Sequence, residues 1–396
     1  MRATGREKIW TRDFALMFGS TTLFWAAFYF FLPTLPLYMV QHLHSSPAQV
    51  GLFSGLTALT AIAARPLAGF ALDRWGRRWV YLAAVLAFSG AAFAYLLAVS
   101  VTSLVIVRLL FGVPFGFATA ASMTIAGDLA PPSRRGEAMG IFALAQTIAT
   151  FLGPVAALAV LGQGEYARLF VAAGCLAAGS ALLGWPVRYA AVRNARATLS
   201  LRAVFELRVL PFALTILFQG LSFGGVVTFL SLYARQIGVG NVGWFYMTYA
   251  AGQVVARALA GQAFDRQGPR RVVVGGLGLL AAGFAVLSLW RAVPGLLSAG
   301  VLFGLGWALT FPSLQTMALG QVPPPRRGAA SATFFNGFDT GMFLGSYAMA
   351  FVAQAAGGYS GMYLVAAAIL GIPAALFVTW ALPLYHPWRA ETEGGQ

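Results

Sequence analysis

Long apolar runs separated by short polar segments are the dominant pattern in this chain. Each run exceeds the ~18 residues that a helix needs to cross the hydrocarbon core of a bilayer. The runs lie at approximately 14–40, 48–72, 79–101, 103–128, 137–161, 166–190, 209–235, 240–264, 271–292, 294–319, 328–354 and 359–385. Because helices satisfy their own backbone hydrogen bonds inside lipid, the pattern predicts an all-α membrane protein with twelve transmembrane helices.

The chain also repeats itself at an interval of 192 residues. The stretch R-P-L-A-G-F-A-L-D-R-W-G-R-R, residues 65–78, has a near-copy at 257–271, and the loop P-P-S-R-R-G-E returns as P-P-P-R-R-G-A at 323–329. Two separate blocks in one register predict an internal duplication. We therefore expect two pseudo-symmetric six-helix halves, at 1–190 and 209–396, joined by a cytoplasmic linker at 191–208. An even number of helices in each half gives both halves the same orientation, as in one known class of transporters.

Composition supports a membrane protein. Hydrophobic residues make up 59% of the chain and charged residues only 9%, with a mean hydropathy of +0.76, whereas soluble proteins average about 25% charged residues. The first apolar run extends from Phe14 to about Val40 and is too long for the apolar region of a cleavable signal peptide. We interpret it as a retained first helix.

The net charge of +15 follows the topology and does not indicate a nucleic-acid partner. With the N-terminus inside, 20 of the 26 basic residues fall in inside segments, and only Arg168, Arg235 and Arg291 lie at the outside hairpins. This asymmetry predicts cytoplasmic termini. The expected location is a cell membrane, most naturally a bacterial plasma membrane.

The segment from Gly69 to Arg78, G-F-A-L-D-R-W-G-R-R, resembles the signature loop between helices 2 and 3 of the major facilitator superfamily. The likeness extends over the whole chain: twelve helices, two halves, a central basic loop and a weaker copy of the signature between helices 8 and 9. It implies the major facilitator fold and transport by alternating access, in which the two halves rock about a midplane site.

Two further patterns resemble the drug:proton antiporter branch of that superfamily. On helix 4, Arg108 is followed by Gly112 and Gly116, similar to a motif whose arginine assists proton transfer. Helix 5 contains the Gly153-Pro154 pair of the antiporter signature, but other glycines of that signature are replaced, two of them by alanine at positions 149 and 157. This departure weakens the inference of drug antiport more than the inference of family.

The resemblance also implies that the signature loop is a conformational latch. In this role Asp73 would cap the cytoplasmic end of helix 11 and Arg77 would pair with Asp128. From the residue types alone, Gly69 is expected to permit close helix packing and Gly76 a tight turn. The predicted latch residues are Gly69, Asp73, Arg74, Gly76, Arg77, Arg78, Asp128, Asp265 and Arg266.

Asp339 stands apart from the other ten acidic residues, which lie in termini, loops or helix ends. It is placed 11 residues into helix 11, about 16 Å deep. A carboxylate at that depth is costly when charged, so it is a candidate for proton coupling. The structural alternative is an acid hydrogen-bonded to Asn336 or to an arginine. The repeat places Thr147 opposite Asp339 and Gly300 opposite Arg108, so Asp339 and Arg108 are the asymmetric charges and the predicted proton-coupling pair.

Polar or aromatic residues on otherwise apolar helices are candidates for substrate binding, although each one could equally be a helix-packing hydrogen bond. They are Tyr29, Gln146, Gln219, Tyr249, Gln253, Gln315 and Asn336.

The leading functional hypothesis is a proton-coupled exporter, working by proton antiport, of a small amphipathic molecule. Its partners would be the substrate, protons and the lipid bilayer, with no nucleic acid, no cofactor and no metal, and the chain is expected to act as a monomer. The alternatives are a dedicated exporter of a polar metabolite, such as an amino-acid-derived metallophore, and a lipid flippase. An enzyme is not expected, because the sequence contains no metal cluster, nucleophile–base pair or phosphate-binding loop.

Overall fold

The structure is a computed structural model that describes residues 8–162, 164–190, 205–323 and 326–386, with the backbone alone at 132, 135, 136 and 258–266. It consists almost entirely of helices. We number them α1 (Arg12–His42), α2 (Pro47–Trp75), α3 (Arg77–Ala94), α4 (Val101–Leu129), α5 (Arg135–Leu161), α6 (Tyr166–Gly184), α7 (Leu210–Gln236), α8 and α9 (together Gly243–Leu289, divided at Gly268), α10 (Val293–Gly320), α11 (Arg327–Ala355) and α12 (Tyr359–Ala381).

The predicted twelve-helix membrane fold is confirmed. Among the described residues, ten helices are long and apolar enough to cross a membrane, and the other two are α8 and α11. The last helix is irregular: Tyr359–Ile369 and Gly371–Leu376 are α-helical, and Phe377–Ala381 forms a π-helical turn. α11 is less apolar because it contains glycines, serines and the buried pair Asn336 and Asp339.

Glycines with positive φ set the turns at both copies of the signature loop. Gly76 adopts φ 90° and ψ 156°, and its repeat partner Gly268 adopts φ 78° and ψ 162°. L-residues seldom occupy this region of backbone space. The tight turn expected at Gly76 is therefore present, and the duplication seen in the sequence extends to backbone conformation.

The chain divides into two compact units. Unit 1 comprises Met1–Ser46 and Leu59–Thr198, and unit 2 comprises Pro47–Ala58 and Leu199–Gln396. The first segment of α2 thus groups with unit 2. Most of the predicted linker, at 191–204, lies outside the described residues, and the proposed domain boundaries stay a prediction.

In unit 1, α1 packs against α5 and α6, and α3 packs against α4 and α6. A buried hydrogen-bond network joins three of these helices: Ser20 Oγ lies 2.7 Å from Tyr81 OH, and Ser180 Oγ donates to the Ser20 carbonyl at 2.7 Å. Such hydroxyl contacts fix the rotation of helices that share an apolar environment.

In unit 2, α7 packs on α11, and α10 packs on the α8–α9 run. Gly337, Gly341 and Gly345, spaced one turn apart on α11, lie directly against the backbone of α7. Small residues at this spacing let two helix backbones approach closely in a membrane. This contact fixes the orientation of α11, which carries Asp339.

Candidate functional site

Asp339 lies in the interior of unit 2, near the middle of α11. It follows the helix start at Arg327 by 12 residues, which corresponds to about 18 Å along the axis. The residue is only 7% exposed, as is Asn336 one turn earlier on the same side of the helix. The structure therefore places the acid in the interior of unit 2, far from both ends of α11.

The packing of α11 determines which way Asp339 projects. Gly337 and Gly341, which touch α7, lie two residues before and two residues after Asp339. Two residues correspond to about 200° around the helix. Asp339 therefore projects away from α7. Phe343 lies one turn after Asp339 on the same side of α11. It packs against Gly55 in the first segment of α2, and a Cβ added to Gly55 would be 2.7 Å from the Phe343 ring. The acid is thus on the side of α11 that faces Pro47–Ala58.

Unit 2 also carries a half-buried aromatic cluster contributed by α7, α10 and α11, which we call the aromatic patch. Its members are Phe223, Trp307, Phe311, Phe335 and Phe338. Trp307 is its centre: its ring centroid lies 4.6 Å from that of Phe223, 5.2 Å from Phe311 and 5.5 Å from Phe338. Partly exposed rings at this density suit a ligand with an apolar or aromatic body.

Polar candidates border the aromatic patch. Gln219, one turn before Phe223 on α7, is buried, and its Nε2 donates to Thr310 Oγ1 at 2.8 Å. On α8, the Tyr249 ring lies 6.3 Å from Phe223, and Gln253 is buried one turn further on.

The remaining two polar candidates of unit 2 occupy the other helices of the patch. Gln315, one turn beyond Phe311 on α10, is half-buried, and Asn336 lies on α11 between Phe335 and Phe338. The helices that carry the predicted binding residues of unit 2 therefore meet around the aromatic patch.

Arg108 occupies an aromatic environment in unit 1. It is buried in α4, its Nη1 lies 3.4 Å from Tyr95 OH, and its guanidinium carbon lies 5.6 Å from the Phe111 ring. Tyr95 in turn packs on Phe31 and Phe170. Aromatic faces stabilise a guanidinium that has been removed from water.

The repeat partner of Arg108 has different packing. Gly300 on α10 lies against Thr248 and the Phe245 carbonyl of α8, where a side chain has no room. The contact between α8 and α10 therefore gives a physical reason for glycine at this position. Arg108 is asymmetric because only unit 1 leaves space for it.

Two further candidates meet in unit 1. Gln146 Nε2 donates to Tyr29 OH at 3.3 Å, and the Tyr29 ring stacks on Trp25 at 5.8 Å. Trp25 also contacts Phe115 edge to face at 5.5 Å. Gly153 of α5 allows this arrangement, because a Cβ there would lie 2.7 Å from Tyr29 Cβ.

The signature loop contains an ion-pair cluster centred on Arg77. Its Nη1 donates to Asp73 at 2.8 Å and to the Leu72 carbonyl at 2.9 Å, and its Nε donates to Asp128 at 3.2 Å. These contacts tie α2, α3 and α4 together. Arg74 is exposed, and Arg78 projects towards the end of α6.

The packing role predicted for Gly69 is wrong. Gly69 is exposed, and a Cβ added there meets no atom of the described residues within 4 Å. The glycine faces open space because α2 makes its close contacts on another side, such as Ala61 and Ala64 against Gly116. The side chains of Asp265 and Arg266 lie outside the described residues.

No motif in the sequence marks the aromatic patch. A signal was present: the repeat pairs Phe115 with Trp307 and Phe31 with Phe223. Aromatic residues at equivalent positions in both halves indicate a shared packing role, and the structure places Phe115 and Trp307 at the centre of ring contacts in their own units.

The sequence profile of the Major Facilitator Superfamily matches residues 17–242 and 212–396 of this chain. The chain belongs to this superfamily. It is a multi-pass membrane transporter, and the resemblance noted in the signature loop is confirmed at the level of the superfamily.

Relatives and solved structures agree with this assignment. An uncharacterized MFS-type transporter of Methanocaldococcus jannaschii is 23% identical over 362 residues, covering 88% of this chain and 91% of the relative. The staphyloferrin B transporter of Staphylococcus aureus is 29% identical over 153 residues, covering 38% of this chain and 36% of the relative. The crystal structure of the nucleoside transporter NupG superposes with a TM-score of 0.75 at 16% identity, covering 93% of this chain and 98% of that chain. At this identity the structural likeness concerns the fold alone.

Proposed function

We propose that this transporter is a proton-coupled exporter that moves a small amphipathic molecule by alternating access and proton antiport. The observation that carries the proposal is Asp339, a carboxylic acid buried near the middle of a membrane-spanning helix. A charged carboxylate there is expensive, whereas a protonated one is tolerated. A group of this kind binds a proton when its surroundings are dry and releases it when water enters.

The aromatic patch supports an amphipathic substrate. Five half-buried rings offer apolar surface, and Gln219, Tyr249 and Asn336 offer hydrogen-bonding groups at its border. Ligand sites in proteins typically combine a mostly apolar lining with a few placed polar groups. In this proposal the substrate body contacts Trp307 and its neighbours, and Asp339 senses whether the site is occupied.

Arg108 has an assisting role in the proposal. Its buried guanidinium contacts Tyr95 and Phe111, so it holds a positive charge inside unit 1 without an aqueous shell. Such a charge favours the ionised form of an acid or an anionic substrate group that approaches it.

A second candidate is export of a polar, carboxylate-bearing metabolite. The observation that favours it is the partial similarity to a protein named for staphyloferrin B transport. In that case Arg108 would bind the substrate directly rather than assist proton transfer. The two candidates differ in which compound is transported and share the role of Asp339.

The orientation of the chain belongs to the same proposal. The basic residues at the signature loop, the loop before α5 and the central linker support a cytoplasmic position for these segments, with both termini on that side. The membrane would be a bacterial plasma membrane, across which the proton gradient is directed inwards and can drive export.

Everted membrane vesicles with an imposed pH gradient, acidic inside, test the proposal. We expect at least one member of a panel of amphipathic dyes and carboxylate metallophores to accumulate, and accumulation to collapse when a protonophore dissipates the gradient. Accumulation of metallophores but not dyes would select the second candidate. Uptake that is unaffected by the protonophore would contradict proton coupling.

A further inference from the structure

A cavity of about 560 Å³ lies in unit 1, where α3 begins and α6 ends. It is lined by the loop from Trp75 to Trp79 and by the segment from Trp185 to Ala190. Both helices are candidate membrane spans, Arg77–Leu97 and Tyr166–Gly184. The cavity therefore lies at the level where the hydrocarbon core meets the headgroup region, on the arginine-rich side of the protein.

Three tryptophans surround this cavity with their rings exposed. Trp75, Trp79 and Trp185 are 59%, 61% and 53% exposed, and the rings of Trp79 and Trp185 meet edge to face at 6.3 Å. Tryptophan is enriched at membrane interfaces, because its ring is apolar and its N–H remains available to polar groups. Their exposure here indicates contact with lipid at headgroup depth.

Two of the arginines that line the cavity, Arg78 and Arg188, bring positive charge to it. The Asp13 carboxylate accepts a hydrogen bond from the backbone N–H of Arg188 at 3.1 Å. The Arg78 guanidinium carbon lies 5.2 Å from the Trp185 ring and 5.6 Å from the Trp79 ring, and its buried Nε has no hydrogen-bond acceptor within the described part of the chain. Arg188 is exposed on the opposite wall. Among the residues that the structure describes, neither arginine forms a salt bridge. Arg77, in contrast, already binds two carboxylates.

The backbone and Tyr189 complement this charge. α3 starts in the cavity wall without a side-chain cap, so the N–H groups of its first turn favour an anion. Tyr189 lies beyond the end of the α6 span, where burial raises its pKa well above the ordinary value, and its hydroxyl donates to the Gly184 carbonyl at 2.7 Å. Tyr189 is therefore neutral and adds no negative charge, and the described lining residues include no acid.

We propose that this cavity is a binding site for the headgroup of an anionic phospholipid from the cytoplasmic leaflet. Arg78 and Arg188 bind the phosphate, the three tryptophans contact the glycerol region, and the acyl chains follow the apolar surface below, where Leu182 of α6 is highly exposed. A free phosphate ion would use the same arginines, but it would gain nothing from the exposed rings and from Leu182.

Native mass spectrometry of the purified full-length protein, titrated with dioleoyl phosphatidylglycerol, dioleoyl phosphatidylcholine or inorganic phosphate, tests the proposal. We expect phosphatidylglycerol to bind more tightly than the other two. Arg78→Gln and Arg188→Gln should each weaken its binding roughly five-fold, the effect of losing one basic charge at a membrane surface. Arg188 is exposed, so its variant folds even if Arg78→Gln does not.

Arg327→Gln is the matched control, because Arg327 is an exposed arginine that likewise starts a helix. It should leave the affinity unchanged. Equal binding of phosphatidylglycerol and phosphatidylcholine would overturn the site, as would an equal loss in Arg327→Gln. Binding of inorganic phosphate as tight as that of phosphatidylglycerol would overturn the lipid as its occupant.

Discussion

Gly341 is a position where the helix that carries Asp339 is sensitive to a single added methyl group. A Cβ at this residue would lie 2.8 Å from the carbonyl carbon of Leu217 and 3.0 Å from its Cα, and both atoms belong to the α7 backbone. Carbon atoms pack best at about 3.5–4.0 Å. In Gly341→Ala, α7 and α11 must therefore separate by at least roughly 0.7 Å, the shortfall between 2.8 Å and a 3.5 Å contact. The Leu217 carbonyl oxygen lies closer still to the added Cβ.

The expected cost follows from this separation. Overpacking a tight contact destabilises by roughly 1–3 kcal/mol, while alanine gains about 1 kcal/mol in helix propensity over glycine. Gly278→Ala isolates the gain in helix propensity, because Gly278 lies within α9 and its Cβ would meet none of the atoms that the structure describes within 4 Å. The free energies of unfolding of the two variants should then differ by about 1–3 kcal/mol, with Gly341→Ala the less stable.

Thermal unfolding of the purified protein in detergent, followed by tryptophan fluorescence, measures this difference. We expect the Tm of Gly341→Ala to lie roughly 1–4 °C below that of Gly278→Ala. Equal Tm values for the two variants would refute the reasoning, because they would mean that α7 and α11 do not pack backbone to backbone at Gly341.

Two other predictions follow from the site. Asp128→Asn should lower the Tm more than Asp73→Asn. The Asp128 side chain is 22% exposed and that of Asp73 is 49% exposed, so water screens the Arg77–Asp73 ion pair more strongly than the Arg77–Asp128 pair. Equal losses of Tm in the two variants would count against this order. Trp307→Ala should weaken binding of the transported compound roughly ten-fold through lost apolar contact, whereas Trp290→Ala, at an exposed helix end, should not. Unchanged affinity in Trp307→Ala would remove the aromatic patch from the substrate site.

The sequence was sufficient for the fold because two independent signals coincide. Apolar runs of membrane-spanning length mark the helices, and the 192-residue repeat pairs Gly76 with Gly268, which share an unusual backbone conformation. Charge placement likewise singled out Asp339, since a carboxylate far from both helix ends is visible in the sequence itself. The helices and the depth of Asp339 within its helix can both be predicted from the positions of residues along the chain alone.

The direction in which a side chain faces is harder to predict from the sequence. Gly69 resembles a packing glycine but faces open space, whereas Gly341 and its neighbours, which no motif marked, form the close contact with α7. In the membrane spans almost every side chain is apolar, so hydropathy does not distinguish a lipid-facing ring from one in the aromatic patch. The position of Trp307 therefore emerged only when the packing of α10 was known.

Proton-linked transport by Asp339→Asn tests the central claim most directly. The matched control is Glu165→Gln, the same change of acid to amide at a half-exposed residue that pairs only with the neighbouring Arg168 within the described structure. We expect Asp339→Asn to lose accumulation driven by the pH gradient in everted vesicles at least ten-fold, yet to retain exchange of labelled for unlabelled substrate, while Glu165→Gln behaves as wild type. Full gradient-driven accumulation by Asp339→Asn would contradict the account.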